Sequence, residues 1–486
     1  MCFNLQGESG FCGKEYPQCL PAEPQGAPQY HIRDLTCGTS DVNAPFRDPS
    51  TGYWHVFYQD LLLTNKSVHR AKVWGHAVSK DGQRWARMPV ALWPDQPYDN
   101  TNIFSGSATI VNGKVKLVYP GLWAAGPGQP APGKSGRDLA MAEPEADASI
   151  DPLYTEWKKL GTIISNTLAG PLGVSGSDPS SAWQTPSKEW RLTTAGAMIT
   201  GSMDFTIWYQ IGIQVNFTHC ADPSFFPLPA VTPGAGPPPP NSVNYTHVYK
   251  ASVAPAGGSG FVDSLQVGMY EAGAVGANST WLGGTPQVID RGGNYATSKD
   301  FFDAKTRRRI LWGNLGAPPN GALSLPREVT WHPELQQLMF TPLSEQSMLR
   351  GTVLGQHGSF TVDGTTMTEL YDTQKYGLSA GLQSEVEVTF TLPLHNSLFG
   401  VVVFGGNSSG APSSKGLLFF VNYTRPVATA LSAAVPYYEV MVGAMPTSAQ
   451  APPAPPQHHK PAPFPRLSTL RLLPSDTSIT ISVFTE

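Results

Sequence analysis

Short runs of β-branched and aromatic residues, each bounded by glycine, proline, asparagine or aspartate, recur along residues 30–343. This pattern constrains the fold more than any other feature, because such runs between turn residues predict strands. No convincing helical periodicity competes with them, so the chain is predicted to be all-β. Representative runs are 53–58, 115–119, 190–194 and 309–312.

The strand-like runs divide the chain into blocks. A chain of 486 residues exceeds one ordinary core, and more than 300 residues of short strands suit a β-propeller, whose strand edges are protected. The later block has the regular strand spacing of a sandwich. Its last run stops almost at the terminus, so an incomplete sandwich is one expectation. We predict a Cys/Gly/Pro-rich N-terminal arm at 1–27, a propeller at 28–345 and a β-sandwich at 355–486.

Composition limits the classes of partner. Charged residues make up 14% of the chain and the net charge is −4. No run of Lys and Arg suited to phosphates occurs, so nucleic acid is not an expected partner. No run of 18 apolar residues occurs either, which argues against a membrane span. The cysteines lack Cys-x-x-Cys spacing, which disfavours a zinc ribbon. We expect neither a metal nor a cofactor.

Cysteines and glycosylation sequons favour the secretory route. Four of the five cysteines lie within the first 37 residues, where disulfides could tie down the N-terminal segment. The first residues have neither the basic nor the apolar region of a signal peptide, so either the true start lies upstream or the protein is not secreted. We favour a secreted, vacuolar or other secretory-route protein. The Asn-x-Ser/Thr sequons begin at Asn65, Asn216, Asn244, Asn278, Asn407 and Asn422.

Five short motifs follow one another over about 140 residues. The first contains Asp41 and the last contains Asp178. Two carboxylates held near one sugar suit acid/base and nucleophilic chemistry on glycosides. The motifs are Ser-Asp-Val-Asn at 40–43, Phe-Tyr-Gln at 57–59, Trp-Gly-His-Ala-Val-Ser at 74–79, Phe-Ser-Gly-Ser-Ala at 104–108 and Ser-Asp-Pro at 177–179.

In this order the motifs resemble those of glycoside hydrolase family 32, the invertases, fructan hydrolases and plant-type fructosyltransferases. The resemblance continues through 290–299, 308–313 and 324–329, and it is weakest after Phe390. It implies a five-bladed β-propeller with a central funnel, followed by a C-terminal β-sandwich. It also implies that the partner is a small carbohydrate, sucrose or a fructan.

The resemblance implies roles for the two aspartates. Asp41 falls where the family's Asn-Asp-Pro-Asn-Gly motif has its nucleophile, whose carboxylate attacks the anomeric carbon and forms a covalent intermediate that water resolves. Asp178 matches the aspartate of the family's Arg-Asp-Pro motif, which binds fructose hydroxyls and stabilises the transition state. Ser177 stands where that motif has arginine, so a rigid guanidinium fork is missing beside the carboxylates.

The family's third carboxylate, a glutamate that acts as general acid/base before a cysteine, has no direct counterpart. Alignment on Cys220 places His219 at that position, whereas alignment on Phe225–Pro227 places Ala221 there, with Asp222 adjacent. A general acid needs a pKa near the working pH, which histidine has unperturbed and a buried aspartate can reach. We therefore carry Asp222 and His219 as candidate acids, with an inactive site as the alternative.

The resemblance also nominates residues for the sugar-binding wall. An aromatic side chain suits the apolar face of a sugar, while amides and hydroxyls bind its hydroxyl groups. Ordinary packing within a blade is the alternative for the two aromatic residues. Three functions remain open: a retaining β-fructofuranosidase, a non-catalytic fructoside-binding relative and a fructosyltransferase. The nominated residues are Asn43, Gln59, Trp74, Asp99, Phe104 and Ser105.

Overall fold

The computed structural model is built almost entirely of antiparallel strands, as the sequence predicts. Within the described residues, no helix is both long enough and apolar enough to cross a membrane. The predicted N-terminal arm at 1–27 lies outside the described residues. The structure describes residues 30–33, 38–64, 69–125, 135–165, 177–214, 216–217, 221–254, 261–290, 295–316, 321–362, 368, 370, 384–403, 416–424, 437–446 and 466–485.

Two consecutive sheets form the first part of the chain, and we call them blades 1 and 2. Blade 1 contains β1 (Thr39–Arg47), β2 (Trp54–Thr64), β3 (His69–Ser79) and β4 (Ala86–Leu92). Blade 2 contains β5 (Asn102–Ile103), β6 (Ser107–Val111), β7 (Lys114–Ala124), β8 (Ser135–Pro144) and β9 (Trp157–Ile164).

Three further sheets follow as blades 3, 4 and 5. Blade 3 contains β10 (Trp183–Gln184), β11 (Trp190–Thr193), β12 (Met198–Ser202) and β13 (Tyr209–Ile213). Blade 4 contains β14 (Ala221–Pro227), β15 (His247–Val253), β16 (Val262–Glu271), β17 (Thr280–Gly283) and β18 (Gln287–Val288). Blade 5 contains β19 (Tyr295–Asp303), β20 (Arg308–Leu315), β21 (Ala322–Leu323), β22 (Arg327–His332) and β23 (Gln337–Pro342).

The apolar core lies between neighbouring blades and closes them into a ring. Separate clusters of buried side chains join blades 1 and 2, 2 and 3, 3 and 4, and 4 and 5. A further cluster packs Val42 and Trp54 of blade 1 against Phe301 and Trp312 of blade 5. Since blade 5 also packs on blade 1, the predicted five-bladed β-propeller is confirmed.

The segment before β1 contributes to this closure. The backbone N–H of Leu323 in blade 5 donates to the carbonyl of Ile32 at 2.8 Å. His31 Nδ1 lies 2.7 Å from the carbonyl oxygen of Leu323. Residues at the start of the propeller are therefore hydrogen-bonded to its last blade.

The first strand of blade 5 contacts the first strands of blades 1 and 4 around the axis. In each of them the register shifts next to a residue with positive φ, which is Ala44 at 40°, Asp222 at 45° and Thr297 at 48°. Asp178, ahead of β10, has the same conformation at 52°. Positive φ is strained for residues other than glycine, and such strain concentrates at functional sites. The repeated bend places Asp178 and Asp222 at similar points of adjacent blades.

Two buried histidines stack in the core between blades 1 and 2. His55 Nδ1 lies 3.1 Å from His76 Nε2. The His55 ring stacks on Phe46 at 4.6 Å between centroids, and the His76 ring stacks on Phe57 at 4.4 Å. Burial lowers the pKa of His55 to about 3 and that of His76 well below its ordinary value. Both rings are therefore neutral in the folded protein at neutral pH.

A short 3-10 helix at Ser344–Leu349 follows the propeller, and two sheets then form the predicted β-sandwich. Val401 and Val403 of one sheet pack against Val483 of the other. The domain boundaries at 345 and 355 remain predictions. One sheet pairs β24 (Ser384–Thr391) with β29 (Ser478–Thr485), and the other contains β25 (Ser397–Val403), β26 (Leu417–Tyr423), β27 (Tyr438–Pro446) and β28 (Arg466–Leu472).

Candidate active site

Asp41 is held at the axis by a chain of hydrogen bonds. Ser105 Oγ donates to Asp41 Oδ2 at 3.0 Å, and Ser40 Oγ donates to Asp41 Oδ1 at 3.2 Å. Gln59 Nε2 in turn donates to Ser105 Oγ at 3.0 Å. Because Gln59 and Ser105 are buried, this chain fixes both the position and the orientation of the carboxylate. The structure thus brings three predicted site residues, from blades 1 and 2, into one network.

Asp178 lies on a loop that is anchored by residues of blades 2 and 5. The carbonyl of Pro179 accepts a hydrogen bond from Ser107 Oγ at 2.6 Å and another from Lys299 Nζ at 3.2 Å. Burial raises the pKa of Asp178, the positive charge of Lys299 lowers it, and the carboxylate of Asp41 raises it again. The net pKa is above the ordinary value, because burial and a like charge disfavour the ionised form.

Asp222 is the third carboxylate of the cluster. Its side chain is 2% exposed, and its Oδ1 lies 3.3 Å from Lys299 Nζ. Burial, together with the charges of Asp178 and Asp41 and against the lowering effect of Lys299, raises the pKa of Asp222 to about 7. Three aspartates from blades 1, 3 and 4 are therefore electrostatically coupled around one lysine of blade 5.

A second buried ion pair supports that lysine. Lys250 Nζ donates to the carbonyl of Ser298 at 2.5 Å and lies 3.8 Å from Asp263 Oδ2. The same Asp263 oxygen accepts the backbone N–H of Ser298 at 2.9 Å. These contacts fix the strand residue beside Lys299. Sequence reasoning assigned no role to Lys299 or Lys250, although Lys299 belongs to one of the motifs behind the resemblance.

Trp74 and Asn43 are packed into the protein and not presented to solvent. Both are completely buried. The Trp74 ring packs against Phe57 at 5.6 Å and Tyr119 at 6.0 Å between centroids. Its indole N–H donates to the carbonyl of Phe104 at 3.0 Å. The structure thus places Trp74 in packing within the blades, which was the alternative to sugar binding. Its hydrogen bond to Phe104 supports the segment that leads to Ser105.

Phe104 is partly exposed. Its ring contacts two cations, one from blade 1 and one from blade 2. Lys72 Nζ lies 4.7 Å from the ring centroid, and the guanidinium carbon of Arg137 lies 4.8 Å from it. Both distances fit cation–π attraction.

Asp99 belongs to a separate ion pair. Its carboxylate is completely buried, lies 2.5 Å from Lys159 Nζ and accepts a hydrogen bond from the hydroxyl of Tyr119 at 3.2 Å. Its second oxygen accepts the backbone N–H of Gln96 at 2.8 Å. The structure gives Asp99 no contact with the aspartate cluster.

His219, the alternative acid, lies outside the described residues. Among the residues that are described, no group of three or more His, Cys, Asp and Glu side chains is arranged to hold a metal ion.

Comparison with known proteins identifies relatives of this architecture. The chain is 28% identical over 395 residues to "Beta-fructofuranosidase, insoluble isoenzyme CWINV6" of Arabidopsis thaliana, covering 75% of this chain and 67% of the relative. It is 29% identical over 312 residues to "Acid beta-fructofuranosidase 4, vacuolar" of the same plant, covering 59% of this chain and 43% of the relative. The chain thus spans between about two fifths and two thirds of these relatives' lengths.

A solved structure has the same fold. The crystal structure of fructan 1-exohydrolase IIa from Cichorium intybus matches with a TM-score of 0.66 at 20% identity, covering 95% of this chain and 88% of that one. Residues 31–342 match the sequence model described as "Glycosyl hydrolases family 32 N-terminal domain". This match covers more than half of the chain and agrees with the motifs, the five blades and the aspartates at their axis. The chain belongs to glycosyl hydrolase family 32.

Proposed function

We propose that the protein hydrolyses β-fructofuranosides, sucrose or a related fructan, with retention of configuration at the anomeric carbon. The main support is the hydrogen-bonded Asp41 carboxylate, coupled electrostatically to Asp178 and Asp222 at the propeller axis. The names of the relatives, beta-fructofuranosidases among them, point to the same class of substrate.

Asp41 serves as the nucleophile in this proposal. Hydrogen bonds from Ser105 and Ser40 orient its two oxygens. One of them attacks the anomeric carbon of the fructosyl unit as the bond to the leaving-group oxygen breaks, which gives a fructosyl ester. Water then attacks the same carbon and releases fructose and the free carboxylate. Asp178 accepts hydrogen bonds from fructose hydroxyls and offsets the positive charge of the transition state.

Asp222 serves as the general acid/base. With its pKa raised to about 7, it carries a proton in mildly acidic solution and can transfer it to the leaving-group oxygen. Lys299, 3.3 Å away, stabilises the carboxylate that remains. The same carboxylate then accepts a proton from the attacking water. His219 is the alternative acid, and the two assignments are distinguished by the pH profiles described in the Discussion.

Sucrose turnover tests the proposal. Purified protein is incubated with sucrose and with an inulin oligomer between pH 4 and 8, and released glucose and fructose are measured enzymatically. We expect release well above that of Asp41→Ala, which keeps the fold but lacks the nucleophile. The matched control Asp204→Ala removes an exposed carboxylate from blade 3 and should leave the rate unchanged. Equal rates for the wild type and Asp41→Ala would refute hydrolysis.

A second function, fructoside binding without turnover, has support of its own. Asp222 is 2% exposed and ion-paired with Lys299, which restricts its access to a leaving group. Ser177 also lacks the guanidinium of the family motif. Calorimetric titration with sucrose distinguishes the two functions, because a binding protein shows saturable heat without product. Absence of both heat and product would exclude this alternative as well.

We also propose that the protein follows the secretory route. The four described sequon asparagines, at positions 216, 244, 278 and 422, are exposed, as glycosylation requires. One relative is named a vacuolar enzyme. A mobility shift after endoglycosidase treatment of protein from a eukaryotic host tests this proposal, and unchanged mobility in every such host would argue against glycosylation.

A further inference from the structure

The bulge in β19 interrupts strand pairing directly before Lys299. β19 pairs with β20 at Ala296 and again at Lys299, and the register shifts between these two residues. Thr297, within the bulge, has a φ of 48°. Ser298 is completely buried and has no register partner in β20. Because buried backbone groups cost free energy unless they are hydrogen-bonded, Ser298 needs partners from another element.

Two side chains of blade 4 are those partners. Lys250 Nζ donates to the carbonyl of Ser298 at 2.5 Å. The backbone N–H of Ser298 donates to Asp263 Oδ2 at 2.9 Å. Lys250 and Asp263 therefore hold both backbone polar groups of the residue that precedes Lys299, where the β-ladder does not.

Lys250 and Asp263 are themselves fixed in the core of blade 4. Both side chains are completely buried, and Lys250 Nζ lies 3.8 Å from Asp263 Oδ2. Ser252 lies directly opposite Asp263 in the pairing of β15 with β16. Its hydroxyl donates to Asp263 Oδ1 and accepts a hydrogen bond from Lys250 Nζ at 3.3 Å. A buried network in which each charged group has partners is rigid.

The backbone at Ser298 determines where the Lys299 ammonium lies. Lys299 Nζ lies 3.3 Å from Asp222 Oδ1 and donates to the carbonyl of Pro179 at 3.2 Å. Asp222 Oδ1 is buried and receives no hydrogen bond from any residue that the structure describes. Because a lysine side chain is a flexible four-carbon stem, the position of its charge depends on the backbone that carries it.

We infer that Lys250 and Asp263 are positioning residues, which hold the backbone of Ser298 from blade 4 and thereby keep the Lys299 ammonium between Asp222 and the Asp178 loop. This inference rests on the proposed function, because it concerns the cation that balances the charge of the candidate acid. Both residues act through Lys299.

The charged groups that face Asp222 come from three other strands and one loop. Lys299 of β19 and Lys250 of β15 favour its ionised form, whereas Asp178, ahead of β10, and Asp41 of β1 disfavour it. Displacement of Lys299 therefore raises the pKa of Asp222. The direct effects of the Lys250 and Asp263 charges on Asp222 have opposite signs, so they can be separated from an effect of position.

The variants Lys250→Met and Asp263→Leu test the inference. Through space alone, removing the lysine charge raises the pKa of Asp222 and removing the aspartate charge lowers it. Loss of positioning raises it in both variants. We expect the basic limb of kcat/KM to move to higher pH by about one unit in both, since a close opposite charge is worth about 1–3 units and Lys299 is displaced but still present. Shifts in opposite directions, or no shift, would overturn the inference.

Two further variants serve as controls. Asp263→Asn removes the charge but keeps an acceptor for the Ser298 N–H, so it should retain most of the wild-type profile. A shift as large as that of Asp263→Leu would contradict the positioning role. Lys305→Met removes an exposed lysine from the turn that follows β19 and should leave the profile unchanged.

A measurement without turnover separates this inference from the proposed function. The infrared carboxyl band of Asp222, identified by its loss in Asp222→Asn, is titrated between pH 4 and 9 in the wild type and in each variant. A wild type without sucrose turnover refutes hydrolysis, yet a higher midpoint in both Lys250→Met and Asp263→Leu would still support the inference, and an unchanged midpoint would overturn it.

A double variant covers the case in which a single variant fails to fold by circular dichroism. Lys250→Met/Asp263→Leu removes both charges and leaves neither partner buried alone. The same rise in the midpoint of Asp222 is expected, because the Ser298 backbone again loses its two side-chain partners. A midpoint equal to that of the wild type would overturn the inference here as well.

Discussion

Lys299 Nζ lies 3.3 Å from Asp222 Oδ1, and both side chains are almost completely buried. The lysine comes from blade 5 and the aspartate from blade 4. An ion pair in this position costs desolvation energy that only close pairing offsets. The stability of the propeller axis therefore depends on whether Asp222, the candidate acid, carries a proton.

Asp222→Asn tests the assignment of the acid. It should lower kcat by about 10²–10⁴-fold, because the asparagine amide cannot transfer a proton. In the wild type, activity that depends on protonated Asp222 is present below its pKa of about 7 and lost as the pH rises through that value. Initial rates between pH 4 and 9 check both points. If His219 is the acid instead, His219→Ala abolishes the basic limb and Asp222→Asn retains it.

Lys299→Met should destabilise the fold in a pH-dependent way. Removing one partner of a buried ion pair costs about 3–5 kcal/mol when the remaining charge stays uncompensated. Because Lys299 lowers the pKa of Asp222, its removal moves that pKa above 7, and the cost grows as the pH rises past 7. Below pH 7, Asp222 can take up a proton and part of the cost is relieved. Urea unfolding at pH 5.5 and 8.5 measures the difference, and an equal loss of unfolding free energy at both values would contradict the coupling.

Ser105→Ala should weaken catalysis and leave substrate binding largely intact. The substitution removes the 3.0 Å hydrogen bond to Asp41 and leaves Gln59 Nε2 without its acceptor. A hydrogen bond to a charged group is worth about 1.5–3 kcal/mol, so kcat should fall about 10- to 100-fold. The control Ser187→Ala removes an exposed hydroxyl from blade 3 and should retain the wild-type kcat. A wild-type kcat for Ser105→Ala would show that this hydrogen bond does not position the nucleophile.

The stacked histidines predict a loss of stability in acid. The pKa of His55 is about 3 in the folded protein against an ordinary value of 6.5. Below pH 6.5 the unfolded chain therefore binds protons that the folded chain cannot. The unfolding free energy should decrease as the pH falls from 6.5 toward 3, by up to about 4 kcal/mol for such a group. The double variant His55→Phe/His76→Leu should show a flatter dependence in chemical unfolding between pH 4 and 7, and an unchanged slope would exclude the pair as its source.

The strands, the propeller and the sandwich could be predicted because they depend on local patterns and on the resemblance. Alternation of residue types marks the strands wherever turn residues bound them. The resemblance also placed Gln59 and Ser105 near Asp41, and the structure brings these three residues together. Their catalytic and binding roles stay predictions.

Other features could not be predicted, because they depend on contacts between blades. Whether Trp74 faces a sugar or the core depends on how blade 2 packs on blade 1, and the structure places it in the core. The ion pair of Asp99 joins it to Lys159, a residue 60 positions away, which no local motif reveals; the sugar-binding role of Asp99 stays a prediction. The raised pKa of Asp222 results from burial and from the charges of Asp178 and Asp41 on two other blades, none of which a local motif reveals.

Leu323 of the last blade donates its backbone N–H to Ile32 and accepts a hydrogen bond from His31, so the two ends of the propeller close on each other. During synthesis, Asp41, Asp178 and Asp222 all emerge before Lys299, so the nascent chain holds three acidic residues without the cation that later separates them. The full cluster, three aspartates around one lysine, therefore requires blades 1, 3, 4 and 5 together, and no fragment that lacks the last blade contains it.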